Sequence, residues 1–202
     1  MRIAILGTGP MARTLGTGLL RSGHDIVFGS REPGKATGLP GPALDHTAAI
    51  EHGEIVVSAL AAAHSLATVA PLRTALAGRV LIDIGNAVDE HLDLLFPDSS
   101  LGERLQHALP ETAVVKTLNT VPGPVGINPS LLAGPTTVFL SGDDPAAKER
   151  VSRLLSRLGW APDRQIDLGG IATSRAVEHY FLLFAALMGA LRDPTFNIAV
   201  TC

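Results

Sequence analysis

Short apolar runs alternate along this chain with stretches whose apolar positions recur every three or four residues. Arg2–Gly7 is an apolar run closing in glycine and predicts a first strand. Met11, Leu15 and Leu19 then place one apolar stripe on a helix, with Gly23 just beyond its end. Asp25–Phe28 predicts the second strand, and Pro33–Pro42, rich in glycine and proline, a loop. Asp45 or Thr47 is placed to cap a short helix that stops at Gly53. Ile55–Leu60, Val80–Ile84 and Ala113–Leu118 predict strands three to five. Between them fall a helical region broken at Pro71, and a helix opened by the Ser100/Glu103 capping box.

Further on, Asn119–Pro135 carries so much proline and glycine that it reads as irregular. Thr137–Leu140 predicts a sixth strand. Pro145, after the candidate caps Asp143 and Asp144, opens a helix with Val151, Leu154, Leu155 and Leu158 on one face, ended by Gly159. Ile166–Leu168 is a short strand, and Ile171–Leu191 a long apolar helix. Strands alternating with helices predict an α/β fold, a Rossmann-type doubly wound and mainly parallel sheet with a small C-terminal helical extension. The division expected is a Rossmann body over 1–160 and a helical part over 161–202, too apolar to stand alone. That part packs on the body, on a second copy as a homodimer, or on both.

Composition narrows the class. The chain has 202 residues, 46 % hydrophobic and only 4 % aromatic, with a formal charge of −3. There is no basic run or aromatic ladder, so nucleic acid is not the expected partner. The one cysteine, Cys202, excludes a disulfide within the chain and argues against a thiolate metal site. The first strand begins at Arg2, and the apolar run Tyr180–Leu191 falls short of the roughly 20 residues that span a bilayer. The expectation is a cytoplasmic protein with neither leader nor membrane span.

The first chemistry lies between the first strand and the first helix. Gly7-Thr8-Gly9-Pro10-Met11-Ala12 reads G-x-G-x-x-A in the strand-to-helix context that a dinucleotide fingerprint requires. Gly7 permits the tight turn, Gly9 lets a pyrophosphate approach the backbone, and Ala12 lets the helix pack close. Free N–H groups at the helix start favour an anion there; Pro10 has none, so Met11 and Ala12 are the donors. An NAD-binding protein would carry an acid at the end of the second strand. This chain has Gly29-Ser30-Arg31, a hydroxyl and a guanidinium suited to a 2′-phosphate, with Lys35 adding a point charge. Glu32 keeps two alternatives open: a ribose-binding acid displaced by a few positions, or a solvated loop in which it pairs with Arg31 and Lys35.

With Gly7-Thr8-Gly9, Leu15-Gly16, Gly23-His24 and Gly29-Ser30-Arg31, the chain resembles NADPH-dependent F420 reductases (F420:NADP oxidoreductases). The oxidoreductase domains of the STEAP ferric reductases share the pattern. The resemblance extends through Lys116-Thr117-Leu118-Asn119-Thr120-Val121-Pro122, Asp167-Leu168-Gly169, Ser174-Arg175 with Glu178, and Phe196-Asn197-Ile198. It implies NADP binding by Thr8, Gly9, Pro10 and Met11, by Ser30, Arg31 and Lys35, by the loop from Leu60 to His64, and by Asn86 and Ala87. Many relatives carry proline where this chain has Ala61.

Ligands of doubly wound sheets bind outside the carboxyl ends of the strands. Asn119, Thr120 and Pro122 are the candidate acceptor-binding residues there, and Asn and Thr at such places also serve to satisfy loop backbone. No general acid or base is named, because direct hydride transfer asks the protein for distance and orientation. His64 more readily contacts cofactor or backbone, and the other histidines show no metal spacing. Arg175 and Glu178 are expected to form an ordinary ion pair along one helix. The leading reading is hydride transfer between NADP(H) and a deazaflavin such as F420, a small-molecule redox carrier. Alternatives are a flavin or ferric acceptor, or an NADP(H) sensor without turnover.

Overall fold

A computed structural model describes residues 1–201, so the reading of Cys202 lies outside the described residues. Six strands form one sheet: β1 (Arg2–Leu6), β2 (Asp25–Gly29), β3 (Ala43–Leu44), β4 (Ile55–Ser58), β5 (Val80–Asp83) and β6 (Ala113–Lys116). Their order is β3-β2-β1-β4-β5-β6, every neighbouring pair parallel. This is a Rossmann-type doubly wound sheet, whose direction of winding reverses between β1 and β4.

Strand residues of alternating register feed two cores. Ile3 and Ile5 face α1 (Pro10–Arg21) and α7 (Pro145–Arg157) through Leu15, Leu19, Val151 and Leu154. Ala4 and Leu6 face α2 (His46–His52), α3 (Ala62–Val69) and α5 (Leu101–Ala108) through Ile50, Val69 and Leu105. A short helix α4 (Arg73–Leu76) follows a 3₁₀ turn containing Pro71, where the sequence predicted a break. The Asp45 carboxylate caps α2 and Ser100 caps α5; of the two candidates before Pro145, Asp144 is the cap. Asp143 instead accepts from the Ile171 backbone N–H at 2.8 Å, tying the last helical region to the body.

Three expectations need correction. The sixth strand of the main sheet is β3, inside the region around the glycine- and proline-rich loop. Two residues suffice because Phe28 donates to the Pro42 carbonyl and Ser30 to the Leu44 carbonyl, at 2.8 and 2.9 Å. The predicted sixth strand, β7 (Val138–Leu140), pairs instead with β8 (Gln165–Asp167) as a two-stranded unit, bridged to β6 between Lys116 and Ser141. The stretch 119–135 is not wholly irregular: it holds α6 (Gly123–Ile127), whose Gly126 carbonyl accepts from the buried Trp160 indole at 2.9 Å. Phe196–Ile198 lies extended against β7, with Thr137 donating to the Ile198 carbonyl, but no strand forms there.

The last helix, α8 (Ser174–Leu191), packs its first turns on α5. Its outer stretch presents Leu182, Leu183 and Leu191 at 40, 53 and 54 % exposure. Phe181 and Phe184 of the same helix stack on each other, and Phe184 on Phe196, at centroid distances of 5.6 and 5.1 Å. Among the described residues no helix is long and apolar enough to cross a membrane, and no group of three His, Cys, Asp or Glu is placed to hold a metal ion.

One buried group sets a pH dependence. His24, at the foot of β2, is 5 % exposed and neither ring nitrogen has a hydrogen-bond partner. Burial, then the chain's amino terminus and Arg157, lower its pKa from the ordinary 6.5. The unfolded chain takes a proton below that value while the folded protein resists it. Stability is therefore present above pH 6.5 and lost as pH falls below it. His24→Leu is expected to flatten that slope, read as the urea midpoint at mildly acidic against mildly alkaline pH.

Candidate functional site

The turn after β1 is built as the fingerprint requires. Gly7 has φ of +116°, and a Cβ there would lie 2.6 Å from the Ala59 carbonyl oxygen at the end of β4. Only glycine meets both conditions. Gly9 is different: a Cβ would meet nothing within 4 Å, so open space lies over the start of α1. Ala12 is fully buried against the sheet. Gly7→Ala is expected to cost about 1–3 kcal/mol in backbone strain alone, before the clash, and to abolish dinucleotide binding; thermal unfolding and cofactor titration read the two effects.

A cleft of about 440 Å³ opens at the carboxyl ends of β1, β2 and β4. It brings together the predicted Thr8, Gly9, Ser30, Arg31, Lys35, Leu60 and His64. Arg31 forms no ion pair or hydrogen bond among the described residues, whereas Lys35 Nζ is 2.6 Å from Glu32 Oε1. The loop thus pairs its acid with the lysine and leaves the guanidinium free beside Ser30. Pro10, Met11, Asn86 and Ala87 lie outside the lining of this cleft. Ala61, the residue that precedes α3, has φ of −58°, a value that proline also adopts. A larger hollow of about 710 Å³ lies at the amino ends of β5 and β6, away from the ligand edge. Its Arg79 and Arg150 are already occupied by the carbonyls of Gly53 and Glu54.

At the carboxyl ends of β5 and β6 the side chains bind one another. Asn86 donates to the Asn119 carbonyl at 2.7 Å, and Asn119 Nδ2 donates to Asn86 Oδ1 at 2.8 Å and to the Val177 carbonyl of α8 at 3.0 Å. Leu118, with a left-handed φ of 58°, makes the turn that precedes Asn119. Thr120 and Pro122 are buried beside it. Beneath them Lys116 is fully buried, its ammonium 2.8 Å from Asp83 Oδ2 and 2.8 Å from Glu178 Oε1, and bonded to the Gly85 carbonyl. Burial alone would push the lysine pKa down; the two carboxylates overcome this and hold it above the ordinary value. Glu178 also accepts from the Leu101 and Gly102 N–H groups at the start of α5, at 2.9 and 3.2 Å. Arg175 pairs instead with Glu103 of α5 at 3.0 Å. The expected Arg175–Glu178 pair is therefore corrected: the buried carboxylate takes the buried cation, and the exposed arginine takes the neighbouring helix.

A family model for coenzyme F420-dependent NADP oxidoreductases matches residues 2–87. A crystal structure from Arthrobacter sp. FB24, provisionally described as an F420-dependent NADP reductase, is 35 % identical over the whole of both chains, with a TM-score of 0.92. The chain belongs to the family of coenzyme F420-dependent NADP oxidoreductases. The F420-dependent NADP reductase of Methanocaldococcus jannaschii is 29 % identical, with 88 % of each chain covered. Metalloreductase STEAP3 of Rattus norvegicus is 32 % identical over 88 % of this chain, which spans only 36 % of that relative's length.

Sequence reasoning missed two features of this family member. His46, first residue of α2, lines the same cleft as Arg31. The chain offered no signal for it, because β3, which carries α2 to the edge of β2, is too short to read. The Lys116–Asp83–Glu178 triad was also missed, although a lysine and an aspartate inside apolar strand runs are a signal that each needs a buried partner.

Proposed function

We propose that this chain moves a hydride between NADP(H) and a deazaflavin of the F420 type. One observation carries the NADP half: a free guanidinium, Arg31, beside a hydroxyl, Ser30, at the end of β2, in a cleft that reaches the open space over Gly9. The residues fit the group. Arg31 and Ser30 suit the 2′-phosphate, the Gly9–Ala12 turn suits the pyrophosphate, and Leu60 and His64 wall the adenosine side. When bound, NADP(H) supplies the hydride; the chain supplies placement. The Asn86–Asn119 pair, with the buried Thr120 and Pro122 next to it, would hold the nicotinamide and the acceptor ring in place. No side chain is assigned a proton transfer.

The acceptor is supported by the Methanocaldococcus relative, named for F420. A flavin or ferric acceptor is the second reading, favoured by the likeness to STEAP3, named a metalloreductase. The apolar outer stretch of α8 supports a homodimer, in which a second copy covers Leu182, Leu183 and Leu191; sedimentation equilibrium tests it. The functional experiment is anaerobic turnover of NADPH with oxidised F420, FMN and ferric citrate in parallel. Saturable turnover fastest with F420 supports the proposal. Faster turnover with either other acceptor overturns the F420 half, and NADPH binding without any oxidation replaces an enzyme with a sensor.

A further inference from the structure

His46 is held in the cofactor cleft by the same ladder that places Ser30. Gly29 of β2 lies opposite Leu44 of β3, and the Ser30 N–H donates to the Leu44 carbonyl at 2.9 Å. Two residues later the His46 ring packs on the Gly29 backbone, where a Cβ would come within 3.1 Å of its Cδ2. The imidazole is half-buried, and neither nitrogen has a hydrogen-bond partner among the described residues.

The charges of this corner do not balance locally. On the loop after β2, the Glu32 carboxylate is taken by Lys35. On α2 itself, the Asp45 carboxylate accepts from the Ala48 N–H. From α3, only the titratable His64 lines the cleft. Arg31 and His46 therefore share one space without an acid between them. Burial and then the Arg31 charge lower the His46 pKa, against a smaller rise from Asp45. A dianion placed between the two would relieve that repulsion and favour the imidazolium.

We propose that His46 is a specificity-determining residue whose imidazolium contacts the adenosine 2′-phosphate alongside Arg31 and Ser30, so that discrimination for NADPH over NADH steepens as pH falls. The inference rests on the reading that this cleft takes NADP(H). In the free protein His46 is neutral near neutral pH, and binding the phosphate draws a proton onto it. NADPH affinity then rises from about pH 8 towards about pH 6, where the phosphate starts to take its own second proton. NADH, with no 2′-phosphate, gains nothing.

The test is equilibrium binding of NADPH and NADH to the full chain and to His46→Gln and His46→Ala, at about pH 8 and about pH 6. The wild-type chain is expected to bind NADPH about tenfold tighter at the lower pH, one charge-assisted contact, with NADH unchanged. Both variants should lose that slope and keep the NADH affinity, which also shows that the cleft is still folded. A slope that survives both substitutions overturns the inference, and so does an equal loss for the two cofactors. A wild-type chain with no NADPH preference at either pH overturns the reading of the cleft itself. A preference that the substitutions leave untouched removes only the role of His46.

Discussion

Lys116→Met is expected to lower the unfolding free energy by about 3–5 kcal/mol, because it leaves two buried carboxylates without their cation. Asp83 and Glu178 each lie 2.8 Å from the ammonium and are almost fully enclosed. Without it they face one another, and one must take a proton to remain buried. Replacing all three, with Asp83→Asn, Lys116→Met and Glu178→Gln, removes the stranded charge, and the triple variant is expected to be more stable than Lys116→Met alone. Urea denaturation of the two variants checks both statements. Equal or greater loss in the triple variant would show that stranded carboxylates are not what destabilises Lys116→Met.

The triad also explains how this stability reaches the site. Lys116 ends β6 and Asp83 ends β5, while Glu178 sits in the first turns of α8. The lysine holds the Gly85 carbonyl one residue before Asn86, and Asn119 holds the Val177 carbonyl one residue before Glu178. The edge proposed for nicotinamide and acceptor is therefore braced by one connected polar network inside an apolar core.

Arg31→Ala carries the second large effect. Removing a charge-assisted bond to phosphate costs about 1.5–3 kcal/mol, so NADPH binding is expected to weaken by one to two decades while NADH binding stays the same. Among the described residues Arg31 has no hydrogen-bond or ion-pair partner, so the substitution breaks no such contact in the free chain and only relieves the charge that lowers the His46 pKa. Lys35→Ala should do less, since Lys35 is exposed and already paired with Glu32. Equal weakening of both cofactors by Arg31→Ala would move the guanidinium from the 2′-phosphate to a group the two dinucleotides share.

How much of this was legible follows from how local each cause is. The turn at Gly7–Ala12, the caps at Asp45, Ser100 and Asp144 and the stripe Val151–Leu158 depend on neighbours within a few residues, and the sequence carries them. Ser30 and Arg31 were readable because they follow a strand whose end is marked by Gly29. β3 was not, because two residues paired to an edge leave no periodicity. Phe28 and Ser30 hold it by donating backbone N–H groups to the Pro42 and Leu44 carbonyls, bonds that carry no side-chain signature. The partners of Arg175 and Glu178 were misread for a related reason: helical spacing permits their pairing, but burial of Glu178 against α5 and β6 decides otherwise. Asn119 was singled out for an acceptor, and its amide is engaged by Asn86 and Val177, a contact between three distant segments that only the fold displays.

The most direct test of the central claim follows one atom. NADPH carrying deuterium at both C4 positions of the nicotinamide is incubated anaerobically with the protein and oxidised F420, and the reduced deazaflavin is examined by mass spectrometry. A deazaflavin accepts hydride at carbon, where the label does not exchange with water. Quantitative transfer of deuterium to that carbon is the result expected of a site that only aligns two rings. NADPH left unoxidised, or reduced deazaflavin carrying solvent hydrogen in place of the label, would contradict direct hydride transfer between NADP(H) and F420 in this protein.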